Sequence, residues 1–149
     1  MRAVVQRVSE ASVTAAGEIR GKITDGLLVY VGVDADDDEA DVRYLADKVR
    51  HLRIFPDERQ RMNRDVVQAG GQVLVVSAFT VSADARKGRR PSFDTAAPPE
   101  RAEEMYERVC TTLEQRGCSV ARGRFRTMMD VHSVNAGPVC ILLDSRRRF

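Results

Sequence analysis

GLLVYVGV, residues 26–33, is the stretch on which the fold turns. Its eight residues carry no charge, include three valines, and match a strand in length. A run that is apolar at every position, rather than at alternate ones, predicts a central strand buried on both faces. Elements must then lie on both sides of it. Upstream, MRAVVQRVSEASVTAAGEIRGKI (1–23) reads as short strands around a turn at Ala15-Ala16-Gly17-Glu18. Downstream, Asp36, Asp37 and Asp38 suit a helix N-terminus, where acidic groups meet the positive end of the helix dipole. Val42, Leu45, Val49 and Leu52 recur at three- and four-residue spacing and predict one apolar helix face, with His51 at the surface.

Next, PDERQRMNRDVVQAGG (56–71) is polar and turn-rich, as expected of a hairpin or connecting loop. GQVLVVSAFTV predicts a strand over Gln72–Phe79. SADARKGRRPSFDTAAPP (82–99) has no periodicity, and a loop of this length in a compact domain is usually functional or disordered. A second helix follows. Pro99 fits its first turn, Glu100, Glu103 and Glu104 its acidic half, and Gly117 its end. Ala102, Met105, Tyr106, Val109 and Leu113 form its apolar face. A strand is predicted over Met128–Val134, then Asn135-Ala136-Gly137-Pro138, then the last strand around Val139–Leu143. Strands dominate and two helices remain to cover them. The expectation is one α+β domain over residues 1–149, largely sheet and barrel-like.

Composition narrows the function classes. The 149 residues are 43% hydrophobic and 31% charged, a globular mixture large enough for a real core. No apolar run is long enough for a bilayer. The N-terminal pattern, with Arg2 and Arg7, lacks the apolar block of a signal peptide, so a cytosolic location is expected. Cys110, Cys118 and Cys140 lack metal-ligand spacing, and His51 and His132 stand apart from them. Neither zinc nor a disulfide framework is expected, and Cys140 reads as a small buried core residue. Net charge is only +2. The basic residues nevertheless cluster, as RKGRR (86–90) and RRR (146–148). The first is as well suited to phosphates as to solvent; the second reads as a frayed, solvated tail.

No Gly-rich phosphate loop, HExxH or GxSxG motif is present. Chemistry must therefore rest on backbone groups, hydroxyls or the substrate. Two places remain. Ser77-Ala78-Phe79-Thr80 ends a strand beside the basic loop and could bond or attack a substrate, yet no base accompanies its hydroxyls, and on its residues alone it reads as a capped strand end. Asn135-Ala136-Gly137-Pro138 combines a fixed φ with a residue that permits close backbone approach, and on its residues alone it reads as a plain turn.

Taken together, these segments resemble the D-aminoacyl-tRNA deacylase (D-tyrosyl-tRNA deacylase) family. The resemblance runs through MRAVVQRVSEASV, GLLVYVGV, LRIFPDE…MN, VLVVSAFTVSADARKGRRPSF…AAPPERAEEMYE and NAGPVCILLD, nearly the whole chain. It implies a homodimer that hydrolyses the ester between a D-amino acid, or glycine, and the terminal adenosine of tRNA, without a metal or cofactor. It implies that Gly137 and Pro138, joined in cis, enter the partner subunit's pocket and reject L-amino acids with backbone carbonyls, braced by Arg7. Ser77, Phe79 and Thr80 would line the catalytic pocket, with backbone N–H groups as an oxyanion hole. Ala102, Phe125 and Met129 would complete the substrate pocket. Arg86, Lys87, Arg89 and Arg90 would meet acceptor-stem phosphates. The ribose 2′-hydroxyl of the substrate would assist in place of a side-chain base.

The chain departs from the family pattern at three points. Ala78 stands for a glutamine, Cys140 for a threonine, and Arg126-Thr127 for a small glycine-alanine segment. Two other readings follow. One is a non-catalytic relative that binds tRNA or another nucleic acid through the basic loop. The other is a hydrolase with Thr80 or Ser77 as nucleophile.

Overall fold

In the computed structural model, which describes residues 1–148, GLLVYVGV lies in the middle of a six-stranded sheet. The strands are β1 (Arg2–Ala15), β2 (Glu18–Ile23), β3 (Gly26–Gly32), the short hairpin strands β4 (Phe55–Pro56) and β5 (Met62–Arg64), β6 (Gln72–Ser77), β7 (Ser119–Arg122) and β8 (Asp130–Asp144). The helices are α1 (Glu39–His51) and α2 (Pro99–Gln115). β3 pairs antiparallel with β1 and parallel with β6, and β6 pairs parallel with β7. Parallel neighbours need crossovers, and α1 and α2 supply the two.

Both faces of β3 are buried, as its composition predicts. Leu27, Val29 and Val31 join Val73 and Val75 of β6 in the core under the helices. Leu28 points the other way, to Val8, Val13, Ile23, Leu74 and Val76 inside the curl of the sheet. That curl nearly closes a barrel. A Cβ on Gly21 of β2 would stand 2.7 Å from the Arg122 carbonyl oxygen of β7. Glycine is what lets those backbones meet.

The helices follow their sequence signals. Asp38 caps α1 by accepting from the Ala40 and Asp41 N–H groups, while Asp41 reaches back to the Asp38 N–H. Val42, Leu45 and Val49 are buried; Leu52 falls just past the helix end. Pro99 opens α2, whose buried face is Met105, Tyr106, Val109, Cys110 and Leu113. His51 is exposed.

Several expectations are corrected. β1 is one strand of 14 residues rather than several short ones. β6 stops at Ser77, because Phe79–Ser82 turns into a 3-10 helix. Strand β7 has only four residues, too few for a period, and two of its neighbours in sequence are glycine and cysteine. Asn135-Ala136-Gly137-Pro138 does not join two strands. It lies inside the single 15-residue strand β8, as an irregularity in its pairing with β1, and its Gly137-Pro138 bond is cis. Cys140 is exposed, not buried, since it falls on the outward side of β8; the buried thiols are Cys110 and Cys118.

The Arg146–Arg148 tail is not frayed. Arg146 forms a fork onto Asp41 and donates to the Asp36 carbonyl, and Arg148 bridges Asp34 and Asp144. The acidic run that opens α1 thus has a second use as the dock for the tail. No helix among the described residues is long and apolar enough to cross a membrane.

Candidate active site

Where β6 passes into the 3-10 turn, a cavity of about 700 Å³ opens. Ser77, Ala78, Phe79 and Thr80 form one wall, Ala96, Ala97, Pro99 and Ala102 another, and Phe125 to Met129 a third. The sequence-predicted residues Ser77, Phe79, Thr80, Ala102, Phe125 and Met129 therefore come together, although they are spread over some fifty positions. Tyr30, Tyr106 and Val131 also line it. Sequence reasoning placed Tyr106 only on an apolar helix face. Its hydroxyl donates to the Val75 carbonyl at 2.9 Å, and burial pushes its phenol pKa up, so it serves as a neutral structural donor.

The lining holds no carboxylate, imidazole, thiol or amine; Arg126 is its one charged side chain. Both histidines are exposed and elsewhere, His132 against Glu10 and His51 against Asp47. No group of three or more His, Cys, Asp or Glu side chains able to hold a metal occurs among the described residues. What the site does offer is backbone. The 3-10 turn gives no side-chain cap. The Val81 and Ala83 N–H groups donate to the Ala78 and Thr80 carbonyls, but the Phe79 and Thr80 N–H groups have no backbone acceptor among the described residues. Free N–H groups at the start of a helical turn are donors for an oxygen that gains negative charge. Phe79, 60% exposed, packs edge-on against Phe93 with ring centroids 5.0 Å apart.

The other two sets of predicted residues stand outside the cavity. Gly137 and Pro138 are exposed on β8. Behind them, half-buried Arg7 donates from Nε to the Ala136 carbonyl at 3.0 Å and from Nη1 to the Ile54 carbonyl at 2.5 Å. The Val139 N–H donates to the side-chain oxygen of Asn135 at 3.0 Å. Gly137 has φ +137°, and a Cβ there would meet Val139 Cγ2 at 2.8 Å and Arg7 Nη2 at 2.9 Å, so only glycine fits. Arg86, Lys87, Arg89 and Arg90 sit in an exposed loop that leaves the cavity wall at Thr80 and returns at Ala96. Arg86 is tied to Asp84 by a two-point ion pair, which holds the Asp84 carboxyl well below its usual range. Lys87, Arg89 and Arg90 are the unpaired cations of that loop among the described residues.

Fold and site together define a class: a curled-sheet domain with an apolar cavity, backbone donors at its edge and a basic loop beside it. Solved structures of similar shape include the "c-Myc DNA Unwinding Element Binding Protein", at TM-score 0.91 and 36% identity over 97% of this chain and 98% of that one. A "probable eukaryotic D-amino acid tRNA deacylase" shares the fold at TM-score 0.79 and 16% identity, over 95% and 97% of the two chains. Residues 4–144 match the family described as D-Tyr-tRNA(Tyr) deacylase, and the chain belongs to that family. Among its relatives are D-aminoacyl-tRNA deacylases of Syntrophobacter fumaroxidans, 54% identical, and Koribacter versatilis, 55% identical, each over 149 residues and the full length of both chains.

Proposed function

We propose that this chain hydrolyses the ester bond of D-aminoacyl-tRNA, releasing the free D-amino acid and tRNA, and that glycyl-tRNA is also a substrate. One observation carries the reading: full-length kinship to D-aminoacyl-tRNA deacylases coincides with a cavity that has free backbone donors and no side-chain base. In this reading the amino acid enters the apolar cavity. The Phe79 and Thr80 N–H groups stabilise the oxyanion formed as water adds to the ester carbonyl. The ribose 2′-hydroxyl beside the ester helps move the proton that the protein has no group to move.

Chirality is read by a second copy of the chain. Gly137 and Pro138 of the partner subunit reach into the cavity and leave no room for an L side chain. Three features support this. The pair is exposed, Arg7 fixes the backbone behind it, and β8 is a long strand paired only with β1, with Val134 and Leu142 exposed on it. A homodimer buries that edge. Lys87, Arg89 and Arg90 meet tRNA phosphates, and the enzyme works in the cytosol, where tRNA is charged.

Paired deacylation assays with D-Tyr-tRNA, Gly-tRNA and L-Tyr-tRNA test the proposal. Release from the first two but not the third is expected. A folded dimer that releases none of them above buffer hydrolysis would refute it. A second reading is nucleic-acid binding without turnover. Its support is the shared shape with a DNA unwinding element binding protein, together with the unpaired loop cations. It predicts salt-sensitive binding with no release.

A further inference from the structure

About half of the arginines of this chain are neutralised, eleven of 21 among the described residues. Arg2, Arg20, Arg43, Arg50, Arg64, Arg86, Arg108, Arg116, Arg122, Arg146 and Arg148 each lie within ion-pair distance of a carboxylate. Arg124 and Arg126 belong to the other half, with Arg59, Arg61, Arg89 and Arg90, but of these only Arg126 borders the cavity. Neither Arg124 nor Arg126 has an ion pair or a side-chain hydrogen bond among the described residues, and both are exposed. Their segment is not loose. Gly123 N–H donates to the Val75 carbonyl at 2.9 Å, and Thr127 Oγ1 donates to the Phe125 carbonyl at 3.2 Å. Met129 packs so closely that a Cβ on Gly123 would lie 3.0 Å from its sulfur.

This frame sorts the side chains. Phe125, Thr127 and Met129 are half-buried, while Arg124, Arg126 and Met128 are exposed; Arg126 and Met128 border the cavity from its open edge, and Arg124 stands just outside its lining. Arg126 holds φ +53°, an unusual conformation for a residue with a Cβ, and its side chain still forms part of the cavity lining. Beside it Met128 is 90% exposed. An unpaired guanidinium at the cavity edge, a second two residues before it in the chain and an exposed apolar side chain beside them match single-stranded nucleic acid. There phosphates need cations and bases need an apolar surface.

We infer that Arg124 and Arg126 form a second phosphate clamp, which holds the unpaired 3′ strand of the tRNA as it leaves the cavity mouth. The inference rests on the proposed substrate. An aminoacyl group inside the cavity brings its nucleotides out past this turn. Arg126, the lining's one charge, is exposed at its edge, and the rest of the lining is uncharged, so in this reading the guanidiniums face the ribose-phosphate chain.

The test uses Arg124→Ala/Arg126→Gly, glycine being the residue that tolerates φ +53°, beside Arg126→Lys. KM for D-Tyr-tRNA should rise about tenfold in the double variant with kcat unchanged, and the slope of log(1/KM) against log[salt] should flatten by about 1.4, or about 0.7 per lost phosphate contact. The charge-retaining Lys variant should recover most of the loss. The difference between wild type and double variant should vanish on 3′-O-D-tyrosyl-adenosine, which has no phosphate. Unchanged KM and salt slope would overturn the inference. So would an equal loss on the phosphate-free ester, or a loss confined to D-Asp-tRNA, which would put the guanidinium on the amino acid. Fluorescence anisotropy with uncharged tRNA reads the clamp without turnover. Failure of the deacylase reading and failure of the clamp are thereby separated.

Discussion

Arg7 is the joint between the core and the exposed Gly137-Pro138 pair, so its replacement tests chiral selection most directly. It donates to two carbonyls from different parts of the chain, Ala136 and Ile54. A lysine keeps the charge, but its single ammonium cannot reproduce the planar fork that spans both acceptors. Hydrogen bonds to a charged group contribute about 1.5–3 kcal/mol each. Because Arg7 is only half-buried, the lower figure applies, and losing both bonds in Arg7→Ala should destabilise by about 3 kcal/mol. That is a fraction of the roughly 5–15 kcal/mol that holds a domain, so the variant should still fold. Selection should suffer more than stability. A backbone filter displaced by about 1 Å can change a rate about 100-fold.

Arg7→Lys and Arg7→Ala should therefore narrow the ratio of D-Tyr-tRNA to L-Tyr-tRNA hydrolysis by about one to two orders of magnitude. Single-turnover deacylation of both substrates, with urea unfolding in parallel, measures the two effects separately. Gly137→Ala attacks the same joint from the other side, since its Cβ would collide with Val139 and with the Arg7 guanidinium. It should produce the same narrowing. If Arg7→Lys keeps the wild-type ratio of rates while it loses stability, the arginine is a structural brace and the filter does not depend on it.

Three further outcomes are expected. Ser77→Ala and Thr80→Ala should each keep deacylation within about tenfold of wild type, because the cavity supplies no base to make either hydroxyl a nucleophile; a trapped acyl-enzyme would contradict this. Under native conditions a thiol reagent should label Cys140 alone, because burial pushes Cys110 up to about 12 and raises Cys118, and labelling should slow as protein concentration drives β8 into a subunit contact; three thiols reacting together would refute the core. The tail should make stability fall in acid. Burial raises the Asp34 carboxyl, but Ser82, Arg148 and Arg2 outweigh it, and Asp41 is lowered against burial by Ser145, the Asp38 N–H and Arg146. Folded values below the unfolded ones mean stability that is complete above about pH 4 and lost as pH falls through the folded values. Arg148→Ala, whose guanidinium is 41% exposed, should cost only about 1–3 kcal/mol and shallow that acid slope, read by thermal melts from about pH 7 to about pH 3.

What was legible in the sequence was whatever a local period or cap encodes. The run at residues 26–33 names its own two-sided burial, and Asp38 and Pro99 mark their helix starts. The cavity is not local. Ser77, Ala102 and Phe125 enclose one cavity only because two crossover helices bring β6, α2 and the β7–β8 segment to one end of the sheet. Family motifs could suggest that meeting, but no spacing rule could. The errors have one cause as well. Val139 and Cys140 look alike in an apolar strand, yet strand alternation buries the first and exposes the second. The RRR tail looks solvated because its partners Asp34 and Asp41 are about a hundred residues away in sequence. Arginines other than Arg126 are unpaired too; what sets Arg126 apart is its place, as the one charged residue that borders the cavity.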